Sequence, residues 1–435
     1  MELDIQPSAN WPAWRKIAFR FFFVYLILQM QPWGILNSIP GVDYITQYID
    51  KVYDWAITTS NAKIFHIKDV LVYPNGSGDT SYAWAQFYLL LLVAFIATII
   101  WSFADRKRSN YQHLNYWLCL IARYYISFYA FVYGILKLFA MQMFFPNLSQ
   151  LATPLGDFLP MRLSWMFIGY STPYQVFSGV MEVLAGLLLL NRRTTTLGVL
   201  FSTAVFMNVL MLNLAYDVPV KLFSAHLLLI CLFLMANECN RIICFFILNK
   251  PAGACTIYHF PYNKKWMRIT RVILKTGFII LAVLMPLYND WEYYKSAHKD
   301  EAAKPIKTGV YDVARYVVNK DTIPFSYTDS LRWQDIIFDK GSLGSIKSAD
   351  TSFRQRYRRA YFYYDIDSTK HSLVMKKFQG DSLAVASFIY SIPDSNTLQL
   401  SGKHLNDSLF IELKRSNRHF QLAEKQFHWL SEANR

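Results

Sequence analysis

The chain has 435 residues with 44 Lys and Arg against 30 Asp and Glu, a net charge of +14, yet only 17% of it is charged while 54% is hydrophobic and 17% aromatic. That balance excludes an ordinary soluble enzyme of this length and points to an integral membrane protein with a soluble appendage. The surplus cations sit at the ends of apolar runs and form no single basic face, so they read as membrane-orientation signals, and nucleic acid is not an expected partner.

Glu2 and Asp4 precede Trp11, Pro12 and Trp14 without the h-region and cleavage site of a signal peptide, so the first apolar run is expected to stay as an anchor. That run, from about Ile17 to Leu36, follows Arg15 and Lys16, contains Arg20, and is long enough to cross about 30 Å of hydrocarbon. In the polar segment from Asn37 to Ser81, YITQYIDKVYDWAI has helical spacing and predicts an amphipathic helix. IFHIKDVLVYPNGSGDTS predicts a short strand and a turn. NGSGD reads as a loop, because a phosphate cradle needs a strand, a helix and a positioned Lys around it. A second span, about Tyr82 to Ala104, ends at DRKRS and completes an N-terminal region over 1–113.

The next region, 114–238, predicts four more spans. In the third span, about Leu114 to Met141, Arg123, Ser127, Ala130, Gly134, Lys137 and Met141 are spaced by four, three, four, three and four, which lines them along one face. Such a face is either a packing seam of small residues or a polar face whose two cations need partners. The loop from Gln142 to Pro173, broken by Pro and Gly, predicts a re-entrant or interfacial segment. The fourth span, about Tyr174 to Leu190, carries Glu182 on the face of Gly179 and Gly186 and closes with Arg192 and Arg193. A fifth, about Thr196 to Leu212, carries Asn208 and ends at Asn213. The YDVPVK turn leads into a sixth, about Val220 to Ala236, with Asp217 and Lys221 four apart and Pro219 in the first turn. His226 lies deeper and points away from Lys221. No second His or Cys stands at ligand spacing, so it reads as a hydrogen-bonded core residue and no metal site is expected.

The segment 239–294 holds an amphipathic run, CNRIICFFIL, a basic stretch, NKKWMRITR, and a last span at about Val272 to Leu287. Beyond a charged linker, 308–435 alternates in strand fashion and predicts a small β-rich soluble domain, sandwich or barrel. Within it, SFRQRYRRAYFYYDID reads as one strand, with Phe353, Tyr357, Tyr361 and Tyr363 on one side and Arg354, Arg356 and Arg358 on the other. LQLSGKHLNDSLFIEL reads as a hairpin. The five cysteines, Cys119, Cys231, Cys239, Cys244 and Cys255, form no CxxC pair and predict no disulfide framework.

The cation-rich loops fall on one side if there are about seven spans, which puts the N-terminus inside and the tail outside, in the periplasm if the cell is Gram-negative. Lys137, Asn213, Asp217 and Lys221 then lie toward the outer end, Glu182, Asn208 and His226 near the midplane, and Arg123 nearer the inside. The expectation is an outward-opening polar pocket around Lys137, Glu182, Asp217 and Lys221.

YGILKLF with Lys137, GVMEVLAGLLLL with Glu182 followed by RRT, and the consecutive spans from Trp117 to Ala236 resemble the four-helix DoxX type of membrane protein. The YDVPVK turn and a β-rich tail ending in FHW resemble the large bacterial form of that family. The resemblance implies a redox-associated subunit of the bacterial inner membrane that binds a quinone or lipid, with Lys137 and Glu182 at matching positions. No paired His, clustered Cys or Rossmann glycine pattern is visible, so redox chemistry would come from a bound quinone or a redox partner protein. A looser similarity, to bacterial relatives of the vitamin K-dependent carboxylase, implies a membrane enzyme with Lys137 or Lys221 and His226 as general bases. A membrane scaffold whose outer domain binds an envelope partner is the third class.

Overall fold

Apolar runs flanked by cations satisfy their backbone groups internally as helices, and alternating runs do so as paired strands. The computed structural model describes residues 10–34, 41–251, 260, 262–297, 304–326, 329–424, 428–430 and 432. Cys255 lies outside them. The chain divides into two units, Met1–Met143 with Ser171–Ser296, and Phe144–Tyr170 with Ala297–Arg435.

The first unit is helical: α1 (Ala13–Met30), α2 (Asp43–Ser60), α3 (Ser81–Ala104) and α4 (Gln112–Leu138) precede α5 (Leu148–Leu151) and α6 (Pro160–Tyr170), which belong to the second unit. It resumes with α7 (Thr172–Leu190), α8 (Thr195–Ala215), α9 (Lys221–Ile242), α10 (Lys265–Ile279) and α11 (Met285–Ala297), the last two joined through a π-helical turn at Ile280–Leu284. Among the described residues, six helical stretches are long and apolar enough to cross a bilayer: Ser81–Ala104, Gln112–Leu138, Thr172–Leu190, Arg192–Ala215, Lys221–Ile247 and Lys265–Ser296. Helix α1 falls outside that set because its 18 residues include Arg15, Lys16 and Arg20. Phe19, Leu26, Ala94, Leu118, Ile126 and Ile230 are among the residues of its core. The outer faces are as apolar as the core: Phe95, Ile100 and Phe103 of α3 and Val272, Ile273 and Leu274 of α10 are exposed, which suits hydrocarbon and not water.

Helix α2 forms where the helical spacing predicts it. The strand expected after it does not. The chain instead closes a π-helical turn at Asn61–Phe65, and the Asn61 amide accepts from Ile67 N at 3.0 Å and donates to Lys68 O at 2.8 Å. Backbone groups that a strand would pair across a ladder are thus met locally.

The second unit is an antiparallel barrel. Its strands are β1 (Gly309–Val318), β2 (Asp321–Thr322), β3 (Asp335–Phe338), β4 (Leu343–Ile346), β5 (Arg354–Arg356), β6 (Arg359–Asp367), β7 (Ser372–Lys376), β8 (Ala386–Asp394), β9 (Thr397–His404) and β10 (Asp407–Arg415). Pairing runs β1, β3, β4, β6, β7, β8, β9, β10 and back to β1, where Tyr311 meets Arg415 and Val318 meets Leu409. Closure decides between sandwich and barrel. The short β2 and β5 only add hairpins to β1 and β6. Alternate residues, among them Phe338, Phe362, Tyr364, Phe388, Leu400 and Ile411, fill the inside, so the barrel is a packed core. At Gly402 a Cβ would stand 2.0 Å from Ser387 O, which is why β8 and β9 can approach there.

The Arg-rich stretch is a hairpin and not one strand. Tyr357 and Arg358 take φ of +52° and +54° between β5 and β6, and Arg354 pairs with Tyr361 and Arg356 with Arg359. Arginines and tyrosines therefore share a face, contrary to the single-strand reading. The reversal has the left-handed geometry of a two-residue turn without the Asn-Gly or Asp-Gly that usually signals it.

Most of the loop from Gln142 to Pro173, expected from its Pro and Gly breaks to be re-entrant or interfacial, belongs to this unit: residues 144–170 pack on the outside of the barrel. Asn147 and Gln150 form a capping box at the start of α5. Asp339 accepts from Leu148 N at 2.8 Å, from Ser149 N at 3.3 Å and from Ser149 Oγ at 2.5 Å. Burial nonetheless pushes the Asp339 carboxyl above its ordinary range.

Candidate functional site

The spacing of Arg123, Ser127, Gly134 and Lys137 predicts one face of α4, and that face meets α7. The two helices touch through glycines: a Cβ on Gly179 would lie 2.7 Å from Gly134 O and 2.9 Å from Lys137 Cβ. So close an approach leaves no room for side chains at the crossing and carries Lys137 onto Glu182. Lys137 Nζ donates to Glu182 Oε1, and the two residues are 7% and 2% exposed. Glu182 Oε2 is buried without a hydrogen-bond partner. Further along, Ser127 Oγ donates to Gly186 O at 3.2 Å and Arg123 Nε to Leu189 O at 3.0 Å. The Arg123 cation thus sits on a carbonyl in the last turn of α7, where the helix end favours positive charge.

Asp217 and Lys221 meet as their four-residue spacing predicts, with Lys221 Nζ 2.6 Å from Asp217 Oδ1. A third member was not evident from sequence. Asp79, from the NGSGD loop, caps α9 by accepting from Lys221 N at 2.8 Å and Leu222 N at 2.9 Å, and its carboxylate lies 3.7 Å from Lys221 Nζ. Gly78 N donates to Pro219 O at 2.7 Å and holds the loop there. Asn213 is buried and closes the turn through its carbonyl, which accepts from Val218 N at 2.9 Å. Asp79→Ala is expected to lower stability by about 1–2 kcal/mol, most of it restored by Asp79→Ser, as measured by thermal unfolding in detergent.

His226 is a satisfied core residue. Its Nδ1 faces Leu222 O at 2.6 Å, which can only accept, so Nδ1 carries the proton and Nε2 accepts from Tyr25 Oη at 2.5 Å. Among the described residues no hydrogen bond or ion pair joins the Lys137–Glu182 pair to the Asp217–Lys221 group or either to His226. The residues expected in one pocket thus form separately partnered sets, and Lys221 and His226 have different partners.

Two buried groups escaped the sequence reading of site residues. Arg20 donates to Tyr111 Oη at 2.9 Å, to Ser102 Oγ at 2.8 Å and to Asp105 O at 3.0 Å. Glu238, 2% exposed, pairs with Arg241 at 2.6 Å and accepts from Thr196 Oγ1 at 3.1 Å. In the barrel, Ser352, His404 and Asp350 lie together, but Ser352 Oγ and Asp350 Oδ2 both address His404 Nε2, at 3.0 and 3.1 Å. A nucleophile relay needs the carboxylate on the opposite ring nitrogen, so this is no catalytic triad. Burial raises the Asp350 carboxyl, but hydrogen bonds from His404 and Ser352 outweigh it and hold the pKa at about 2. Among the described residues no group of three His, Cys, Asp or Glu side chains is placed to hold a metal ion.

No family model matches the chain, and no solved structure matches it significantly. Over 113 residues, 26% of the chain, it is 33% identical to the Uncharacterized protein YwoB of Bacillus subtilis (strain 168), of which the match covers 71%. On that identity and coverage, the chain belongs to the family of YwoB.

Proposed function

We propose that this is a DoxX-like membrane protein whose helical unit binds a lipophilic molecule with a polar head, of the quinone or lipid class, at the Lys137–Glu182 pair. The observation that carries this reading is the second Glu182 oxygen, buried beside a lysine with no donor of its own. A carboxylate in such a place is stabilised by one more hydrogen bond, which a quinol or lipid hydroxyl supplies, whereas an oxidised quinone, an acceptor only, would take its bond from the Lys137 ammonium.

Seven spans with the barrel outside fit the packing. The pieces 144–170 and 297–435 fold into one unit, so the chain between them crosses the membrane an even number of times. Four of the apolar stretches lie in that interval. Helix α1 supplies the further span: Trp11 N donates to Ser109 O at 3.0 Å and Lys16 Nζ to Arg108 O at 3.2 Å, which sets its start beside the end of α3. Its Arg20 is tolerable at depth because Tyr111, Ser102 and Asp105 satisfy it. The clusters Arg106–Arg108, Arg192–Arg193 and Lys264–Arg268 then share the inner side, a positive-inside arrangement.

The test is the lipophilic content of the full chain purified in mild detergent, extracted and identified by mass spectrometry. One quinone or defined lipid per chain is expected, lost in Lys137→Met/Glu182→Leu, which leaves no unpaired charge at the crossing, while that variant elutes and melts like the parent. Equal content in both would remove the pair from any binding role. A scaffold is the second reading, favoured by the internal satisfaction of Arg123, Ser127 and His226. It predicts that only bulk lipid copurifies.

A further inference from the structure

We propose that the barrel unit carries a binding site for a phosphate-type oxyanion, between the β5–β6 hairpin and the α5–α6 segment. A cavity of about 190 Å³ opens there, lined by Arg162 of α6, Arg354 and Arg356 of β5, and Lys377 just past β7. Among the described residues no carboxylate lines it. Arg162 Nε donates to Tyr357 Oη at 3.1 Å and Lys377 Nζ to Thr351 O at 3.2 Å, contacts that leave their charges unneutralised. Among the described residues no acid pairs with any of the four. Cations lining one cavity repel, and an anion between them offsets that repulsion.

The remaining lining fits the same ligand. Tyr361 Oη is buried in the wall without a partner, and burial pushes its pKa up to about 12, so it remains a neutral donor. Guanidinium forks match the oxygens of a phosphate, and a tyrosine O–H adds a neutral donor. The volume equals that of about six waters, room for a phosphate or diphosphate group, and the cavity is open, so the rest of a molecule carrying that group can stay outside it. A lone carboxylate would engage one guanidinium fork and leave the other cations unmet.

The hairpin itself is held in place. Tyr357 and Arg358 occupy the left-handed region, which is costly for residues bearing a Cβ, and such strain persists where surrounding contacts enforce it. Here they do: Arg162 bonds Tyr357, Phe158 packs on its ring at 5.1 Å, and Arg358 pairs with Asp157 at 3.1 Å. The turn aims Arg354 and Arg356 at the cavity on the face of Tyr361.

The phosphate group is carried either by a soluble compound or by a phospholipid head, and calorimetry on the full chain in phosphate-free detergent distinguishes them. Pyrophosphate and dihexanoyl phosphatidic acid are titrated separately, then in competition. Saturable binding of at least one is expected, weakened about tenfold or more in Arg354→Gln/Arg356→Gln and measurably in Tyr361→Phe, but unchanged in Arg315→Gln, an exposed position of β1. Pyrophosphate binding alone assigns a soluble ligand, and displacement of pyrophosphate by phosphatidic acid admits a lipid head. The proposal is overturned if neither probe saturates, if the double variant binds like the parent at an unchanged melting temperature, or if Arg315→Gln weakens binding equally.

Discussion

Lys137→Met with Glu182 left in place is expected to destabilise the helical unit by about 3–5 kcal/mol, and Glu182→Leu with Lys137 left in place by a similar amount. Each single change strands a charge that is nearly unexposed, beside a close helix crossing made at Gly134 and Gly179. The double change, Lys137→Met/Glu182→Leu, removes both charges and is expected to be neutral or to raise the unfolding midpoint, since apolar residues of similar volume pack without desolvation cost. Detergent unfolding monitored by far-ultraviolet circular dichroism measures all three, and the cycle yields the coupling. The double variant also separates the two readings of function. A stable double variant that copurifies with no lipophilic molecule means that the pair is kept for the ligand, whereas one that still retains it assigns the pair to packing alone. Additive singles, with no recovery in the double, would show that the two side chains do not depend on each other.

The α4 seam was legible because a helix repeats its faces every three or four residues, so Arg123, Ser127, Gly134 and Lys137 announce a shared direction. Periodicity gives the direction and not the partner. That Glu182 meets Lys137 follows from the Gly134–Gly179 approach, which is a tertiary fact. Asp217 and Lys221 were readable for the same local reason, while Asp79 was not, because a loop about 140 residues upstream in sequence caps α9. His226 belongs with Tyr25 of the first helix by the same kind of distant pairing. In the barrel the alternation showed the strands but not their closure, and the β5–β6 turn hid because Tyr357 and Arg358 lack the composition of a left-handed turn. Segment 144–170 looked interfacial because its apolar residues carry no label saying whether lipid or a barrel wall covers them.

That wall explains an arginine that alternation alone would place in water, and it supports the second large effect: Arg359→Met is expected to cost about 3–5 kcal/mol. Arg359 is 2% exposed on the outer face of β6, where it makes a two-pronged ion pair with Asp335 of β3, and its Nε donates to Ser345 Oγ of β4 at 2.8 Å. Ser345 Oγ in turn donates to Ser149 Oγ of α5 at 2.7 Å, and Ser149 reaches Asp339, so one buried polar chain ties three strands to the segment lying on them. Removing the guanidinium leaves Asp335 buried, with Arg418 the remaining cation at 3.8 Å. Asp335→Leu alone is expected to cost as much by stranding Arg359, and Arg359→Met/Asp335→Leu to recover much of the loss. Because Ser345 lies between the strands and α5, the single variants should also loosen 144–170. Limited proteolysis of the full chain in detergent, with cleavage sites mapped by mass spectrometry, is expected to show new cuts within that segment in Arg359→Met and none in the double variant. Cuts confined to β3 and β6 would mean that α5 is held by Asp339 alone, and the Ser149–Ser345 contact would then carry no coupling.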